Sequence, residues 1–161
     1  MIAGGWISGP SDLMTEVVEL VQTNSTPSFG QLPSYRYGVV GAMLGNAPIL
    51  CAGSDKDSCI VYHQESNWSQ SQTLSSIRRF AAGVKVSSTT FWILGGEDFY
   101  SILDSTEFII QGQTNGVPGP KLPYVLMAMC AVKFSEKDIF VIGGTRYPDA
   151  GGGSMNLQRI K

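Results

Sequence analysis

The chain is 161 residues long, 43% hydrophobic and only 15% charged, with a formal net charge of −2. That balance supplies no basic face for DNA or RNA, and the longest apolar run, Val125 to Val132, falls well short of the roughly 20 residues of a membrane-spanning helix. One histidine, His63, and three cysteines without a CxxC pair do not make a four-ligand zinc site, and nothing in the sequence calls for a cofactor.

Taken in order, the first element is the short apolar run Ile2-Ala3-Gly4-Gly5, ending in a glycine pair. Thr15-Glu16-Val17-Val18 follows as a strand, the β-branched pair favouring strand over the helix that 14–22 could otherwise form. Leu32-Pro33-Ser34-Tyr35-Arg36 then leads into an apolar strand at about 37–44, and the turn Gly45-Asn46 returns the chain through Ile49-Leu50-Cys51-Ala52-Gly53. Cys59-Ile60-Val61-Tyr62 and a short strand around Trp68 complete that set. The same order recurs: Leu74-Ser75-Ser76-Ile77-Arg78, an apolar strand at 80–87, Trp92-Ile93-Leu94-Gly95-Gly96, and Thr106-Glu107-Phe108-Ile109. It begins once more with Leu122-Pro123-Tyr124-Val125-Leu126, a strand at 127–134 containing Cys130, and Phe140-Val141-Ile142-Gly143-Gly144.

Gly5, Gly53, Gly96 and Gly144 are separated by 48, 43 and 48 residues, a period proper to radially repeated sheets. Each period predicts four antiparallel strands. The first strand of each is a continuous apolar run and is expected to be buried on both faces. The glycine pairs lack the GxGxxG-to-helix context of a phosphate cradle and predict tight exits from strands instead. Tyr62, Trp68 and Phe108 are expected to pack between sheets.

Arginine before the first strand, an apolar strand ending in a glycine pair, an aromatic on the third strand and a Trp on the fourth together resemble the kelch repeat. The stretch Ile49 to Gly96 carries the fullest copy, with Cys51, Gly53, Cys59, Tyr62, Trp68, Leu74, Arg78 and Gly95-Gly96 in place. The first copy lacks a clear Trp, Ile109 stands where Tyr62 would be, and Leu126 replaces the arginine. The resemblance implies an all-β fold, a β-propeller of kelch-type four-stranded blades. Residues 1–161 would form one incomplete propeller segment: partial blade 1–35, blade 36–72, blade 73–121 and partial blade 122–161.

The paired Cys51 and Cys59 resemble those of animal extracellular-type kelch repeats, where such a pair staples the second strand to the third. Antiparallel pairing brings the two positions within reach of a bridge; the alternative is two free thiols in a reduced cytosol. An extracellular setting follows from the first reading and a cytoplasmic one from the second. The sequons Asn24-Ser25-Thr26 and Asn67-Trp68-Ser69 lean toward the first.

Kelch domains bind protein or peptide partners through loops at one face, and the chain is expected to do this rather than catalyse a reaction. Antiparallel pairing places the start of a first strand beside the end of a second, so Arg36, Arg78 and Arg79 share an end with the loops after the glycines. Those loops supply Trp6, Phe99, Tyr100, Arg146 and Tyr147, the residue types of interaction hot spots. Arginine there either grips an acidic partner in bidentate fashion or is spent on backbone carbonyls. A structural, extracellular scaffold is the competing role. A galactose-oxidase-like copper enzyme would need more histidines than His63.

Overall fold

The computed structural model describes the backbone at residues 2–7, 13–19, 28–65, 67–146 and 157–160, with side chains at 32–65, 67–146 and 160. Strands β1 (Ile2–Ile7), β2 (Leu13–Glu19) and β3 (Ser28–Gln31) form a first sheet. The second sheet holds β4 (Val40–Leu44), β5 (Ala47–Cys51), β6 (Ser58–His63) and β7 (Asn67–Thr73) in that spatial order. The third repeats it with β8 (Ala82–Lys85), β9 (Thr90–Leu94), β10 (Thr106–Ile110) and β11 (Val117–Pro118). A fourth sheet contains β12 (Met127–Lys133), β13 (Ile139–Thr145) and β14 (Leu157–Ile160). Every pairing between the named strands is antiparallel, and one isolated parallel bridge joins Thr73 of β7 to Asn115. The described residues contain no helix, and none long and apolar enough to cross a membrane.

The segment 13–19 is a strand, as its β-branched residues require. Leu44 pairs with Ala47 across the two-residue turn Gly45-Asn46, closing the β4–β5 hairpin where the sequence placed it. Three backbone sites repeat between sheets. Gly38, Phe80 and Ala128 all have positive φ, as do the pairs Ala52-Gly53, Gly95-Gly96 and Gly143-Gly144. The glycine pattern in the sequence therefore marks a left-handed exit from β5 and β9, and a left-handed kink near the end of β13, that few other residues adopt without cost.

Apolar clusters lie between consecutive sheets. Val40, Leu44, Ile49, Cys51 and Cys59 of the second sheet meet Phe91, Ile93 and Ile109 of the third. Ala82, Val84, Trp92 and Leu94 of the third meet Leu122, Leu126, Met129, Ile139 and Val141 of the fourth. Phe91, Ile93, Leu94 and Ile109 are fully buried, and burial of each such side chain contributes roughly 1.5–3 kcal/mol. On the other side of the second sheet, Leu32, Leu50, Ile60 and Trp68 cluster, with the Tyr62 ring 5.4 Å from that of Trp68. Phe108 stacks on Trp92 at 4.9 Å. Phe108 packs against the cluster between the third and fourth sheets as expected, whereas the contact of Tyr62 and Trp68 is between neighbouring strands of one sheet.

Backbone bonds link the sheets as well. Phe80 N–H donates to the Gly38 carbonyl (3.0 Å) and Ala128 N–H to the Phe80 carbonyl (2.8 Å). Gly53 N–H donates to the Arg78 carbonyl and Gly96 N–H to the Leu126 carbonyl, both at 2.8 Å. The second-strand exit of one sheet is thus tied to the leading segment of the next.

One expectation fails. The first strands are not buried on both faces: Gly41 and Met43 in β4 are exposed, or half so, and β12 alternates between partly buried and exposed positions. Cys130, expected deep in its strand, is exposed and free. Continuous apolar sequence here reflects one face that packs and another that does not. In β12 both faces are apolar, but only one is covered.

Candidate functional site

The leading segments, the loops after β5 and β9 and the end of β13 lie at one end of the sheets, because each first strand starts beside the end of the second (Val40 opposite Cys51, Ala82 opposite Leu94, Met127 opposite Thr145). Arg36, Arg78, Arg79, Tyr100 and Arg146 all belong to this end. Their environments differ sharply.

Arg36 is buried. Its guanidinium donates to the carbonyls of Ala52 (2.7 Å) and Ser58 (2.9 Å) and to Ser58 Oγ (2.8 Å). Arg78 repeats these bonds in the third sheet, to the carbonyls of Gly95 (2.9 Å) and Ser105 (3.1 Å) and to Ser105 Oγ (3.2 Å). It adds an ion pair with Glu107 at 2.7 Å, both side chains essentially without solvent. Glu107 also accepts from Ser75 N–H (2.9 Å) and Ser75 Oγ (2.8 Å). Burial lowers the Arg78 pKa while Glu107 opposes the shift; burial likewise lowers that of Arg36, against Asp55 and Asp57. Both arginines therefore lace the corner between second and third strands, and neither presents a free guanidinium to a partner. That corrects their place among the partner-binding residues: buried carbonyls at a sheet corner need donors, and these two side chains are consumed in supplying them.

Arg79 lies at the surface. Its Nε donates to Glu97 Oε1 at 2.7 Å, its Nη1 to the Tyr37 hydroxyl, and its guanidinium sits 5.7 Å from the Tyr37 ring and 5.9 Å from that of Phe80. Desolvation pulls its pKa down, but the bonds to Glu97 and Tyr37 outweigh that and raise it. The segments 79 and 97 also exchange two backbone bonds of 2.9 Å, holding the pair rigid.

The loop after β9 presents Phe99 and Tyr100, 57% and 94% exposed. Asp98 shapes it: Oδ1 accepts from the N–H groups of Tyr100 and Ser101, both at 2.7 Å. Those bonds, the Tyr100 amide first, hold the Asp98 carboxyl below the ordinary range. This is an Asx-type turn, which the sequence Asp-Phe-Tyr-Ser favours. Arg146 lies on the Tyr124 ring, 3.9 Å from its centroid, and its Nε is buried with no hydrogen-bond partner among the described residues. Lys56 pairs with Asp55 at 2.8 Å and lies 5.7 Å from the Tyr35 ring.

Trp6 sits within β1, paired with Met14, rather than in a loop beyond the glycines. Tyr147 lies outside the described residues. Tyr35, Tyr37, Phe80 and Tyr124 were missed by the sequence reading. All four lie within two residues of the arginine position of a leading segment (Arg36, Arg78 and Leu126), and that recurring aromatic was the available signal. The arrangement offers exposed aromatic rings braced by cations on a rigid sheet end. Neither the protein-family models nor the curated proteins contain a match to this chain.

Proposed function

We propose that the chain is a segment of a kelch-type β-propeller that binds a partner protein through an acidic, aromatic-compatible peptide docking on the loop end. The observation that carries the reading is Tyr100, almost wholly exposed yet fixed by the Asp98 turn, in a loop at the same end of the sheets as the cation–aromatic groups Arg79/Tyr37/Phe80 and Arg146/Tyr124. Ordered exposed aromatics near arginines are what hot spots consist of, and preorganised loops lower the ordering cost of binding. The propeller reading is supported by the repeated strand order, the shared positive-φ sites and the apolar clusters between consecutive sheets. The Cys51–Cys59 disulfide favours an oxidising, extracytoplasmic setting.

The test is an array of acidic and charge-neutral peptides probed with the wild-type chain and with Tyr100→Ala and Arg146→Ala. Binding confined to acidic peptides and weakened about 10-fold or more by each substitution is the expected result. Equal capture of neutral peptides, or binding indifferent to both changes, rejects the assignment.

A further inference from the structure

In the second sheet the hairpin between β6 and β7 closes at the same end as the turn Gly45-Asn46, away from the end that carries the loops after β5 and β9. Asn67 opens β7 there, paired with His63 and with φ at +61°, a conformation that asparagine tolerates better than most residues. The conformation accounts for an asparagine at 67 but not for the hydroxyl two residues on. Ser69 completes Asn67-Trp68-Ser69, and of the chain's five asparagines only Asn67 and Asn24 head such a triplet. Asn24-Ser25-Thr26 lies outside the described residues, and Pro27 restricts the backbone of Thr26, the residue that the acceptor reaction reads.

Three observations fit position 67 to carry a sugar. Asn67 is exposed, whereas Trp68 is buried on Leu32, Leu50 and Ile60, so strand alternation turns Asn67 and Ser69 away from that cluster. β7 is the outer strand of its sheet, and its backbone bonds to the third sheet, between Thr73 and the segment of Thr114 and Gly116, lie at its far end. The Cys51–Cys59 disulfide belongs to an oxidising compartment, where this modification is made.

We infer that Asn67 is an N-glycosylation site. Its amide nitrogen attacks the anomeric carbon of an oligosaccharide carried on a lipid pyrophosphate. A carbon–nitrogen bond forms, the carbon–oxygen bond to the pyrophosphate breaks, and the amide gives up one proton as the lipid pyrophosphate leaves. The fold's part is to leave the product room. At the start of β7 the glycan stands over backbone groups that an edge strand leaves open to unwanted pairing, and it stays clear of Tyr100. The inference rests on the oxidising setting read from the disulfide, not on the loop end, so failure of peptide binding leaves it standing.

The experiment takes the polypeptide that carries this chain from its source, denatures and digests it with and without peptide N-glycosidase, and weighs the peptide containing residue 67. Alkylation before reduction reads Cys51 and Cys59 in the same digest. The expected result is a hexose- and N-acetylhexosamine-bearing peptide in most wild-type copies, converted by the glycosidase to one with aspartate at 67. The sugar should vanish in Ser69→Ala and Asn67→Asp and persist in Ser69→Thr. A bare Asn67 in the wild type overturns the inference: with the bridge intact only the glycan is lost, and with both thiols free the oxidising setting falls too. Sugar on this peptide that survives Ser69→Ala or Asn67→Asp also overturns it, since it then sits on another residue.

Discussion

The second and third sheets solve the same corner problem with different chemistry. In both, an arginine from the leading segment binds one carbonyl just past the second strand and one at or just before the start of the third (Arg36 to Ala52 and Ser58, Arg78 to Gly95 and Ser105). In the second sheet the facing pair Cys51 and Cys59 is then joined by a disulfide, with Cα atoms 3.9 Å apart. In the third, the equivalent facing pair is Leu94 and Thr106, and the lock is Glu107 on Arg78 instead. One corner is held covalently and the other by a buried charge pair, so the same geometry carries two vulnerabilities: one to reduction, the other to loss of a charge.

The largest effect is expected in the third sheet. Arg78→Leu strands the Glu107 carboxylate in a site almost without solvent, and should cost about 3–5 kcal/mol in urea unfolding. Adding Glu107→Leu removes the orphaned charge and should recover most of that loss. A single Arg78→Leu that costs less than about 1 kcal/mol would mean that the ion pair is not the lock. The matching change in the second sheet is smaller. Replacing Cys51 and Cys59 by alanine opens a loop worth roughly 2.5 kcal/mol by chain entropy, and a reductant should lower the wild-type melting temperature without affecting the double variant. If the reductant shifts both alike, the comparison between corners collapses.

The smallest effect concerns the loop above the third corner. The Asp98 carboxyl is held below its ordinary value by the Tyr100 and Ser101 amides. Its stabilisation is therefore complete above the unfolded value of about 4 and is lost as pH falls through the lower folded value. Tyr100 and Ser101 amide resonances should titrate in that acid window and cease to do so in Asp98→Asn. Resonances that stay fixed down to pH about 2 would sever the link between the carboxylate and the loop.

Strand order was legible because its marker is backbone conformation. The exits at Gly53, Gly96 and Gly144 need positive φ, and glycine shows that in any sequence. Arg36 and Arg78 were legible as a repeated pair, and binding to backbone carbonyls was one of the two roles open to them, but the sequence alone did not choose between the two. Their acceptors are main-chain carbonyls, which carry no sequence signature, and the partner of Arg78 lies 29 residues away. The aromatics Tyr35, Tyr37, Phe80 and Tyr124 were hidden for a related reason: aromatics beside an apolar strand read as core until the leading segment is seen to turn outward. Cys130 misled in the same way, since a residue in an apolar run is buried only if something covers its face.

The amide-to-carbonyl ladder through Gly38, Phe80 and Ala128 has an evolutionary consequence. Each rung is satisfied by the corresponding rung of its neighbour, whatever side chain stands there: none at Gly38, an aromatic ring at Phe80, a methyl at Ala128. Copying or deleting one whole repeat therefore leaves every surviving rung with a partner of the same kind, whereas a partial insertion breaks the ladder at two places. A change of stack length by whole units thus costs no rung, and a substitution within a unit leaves the ladder intact wherever it spares the backbone kink.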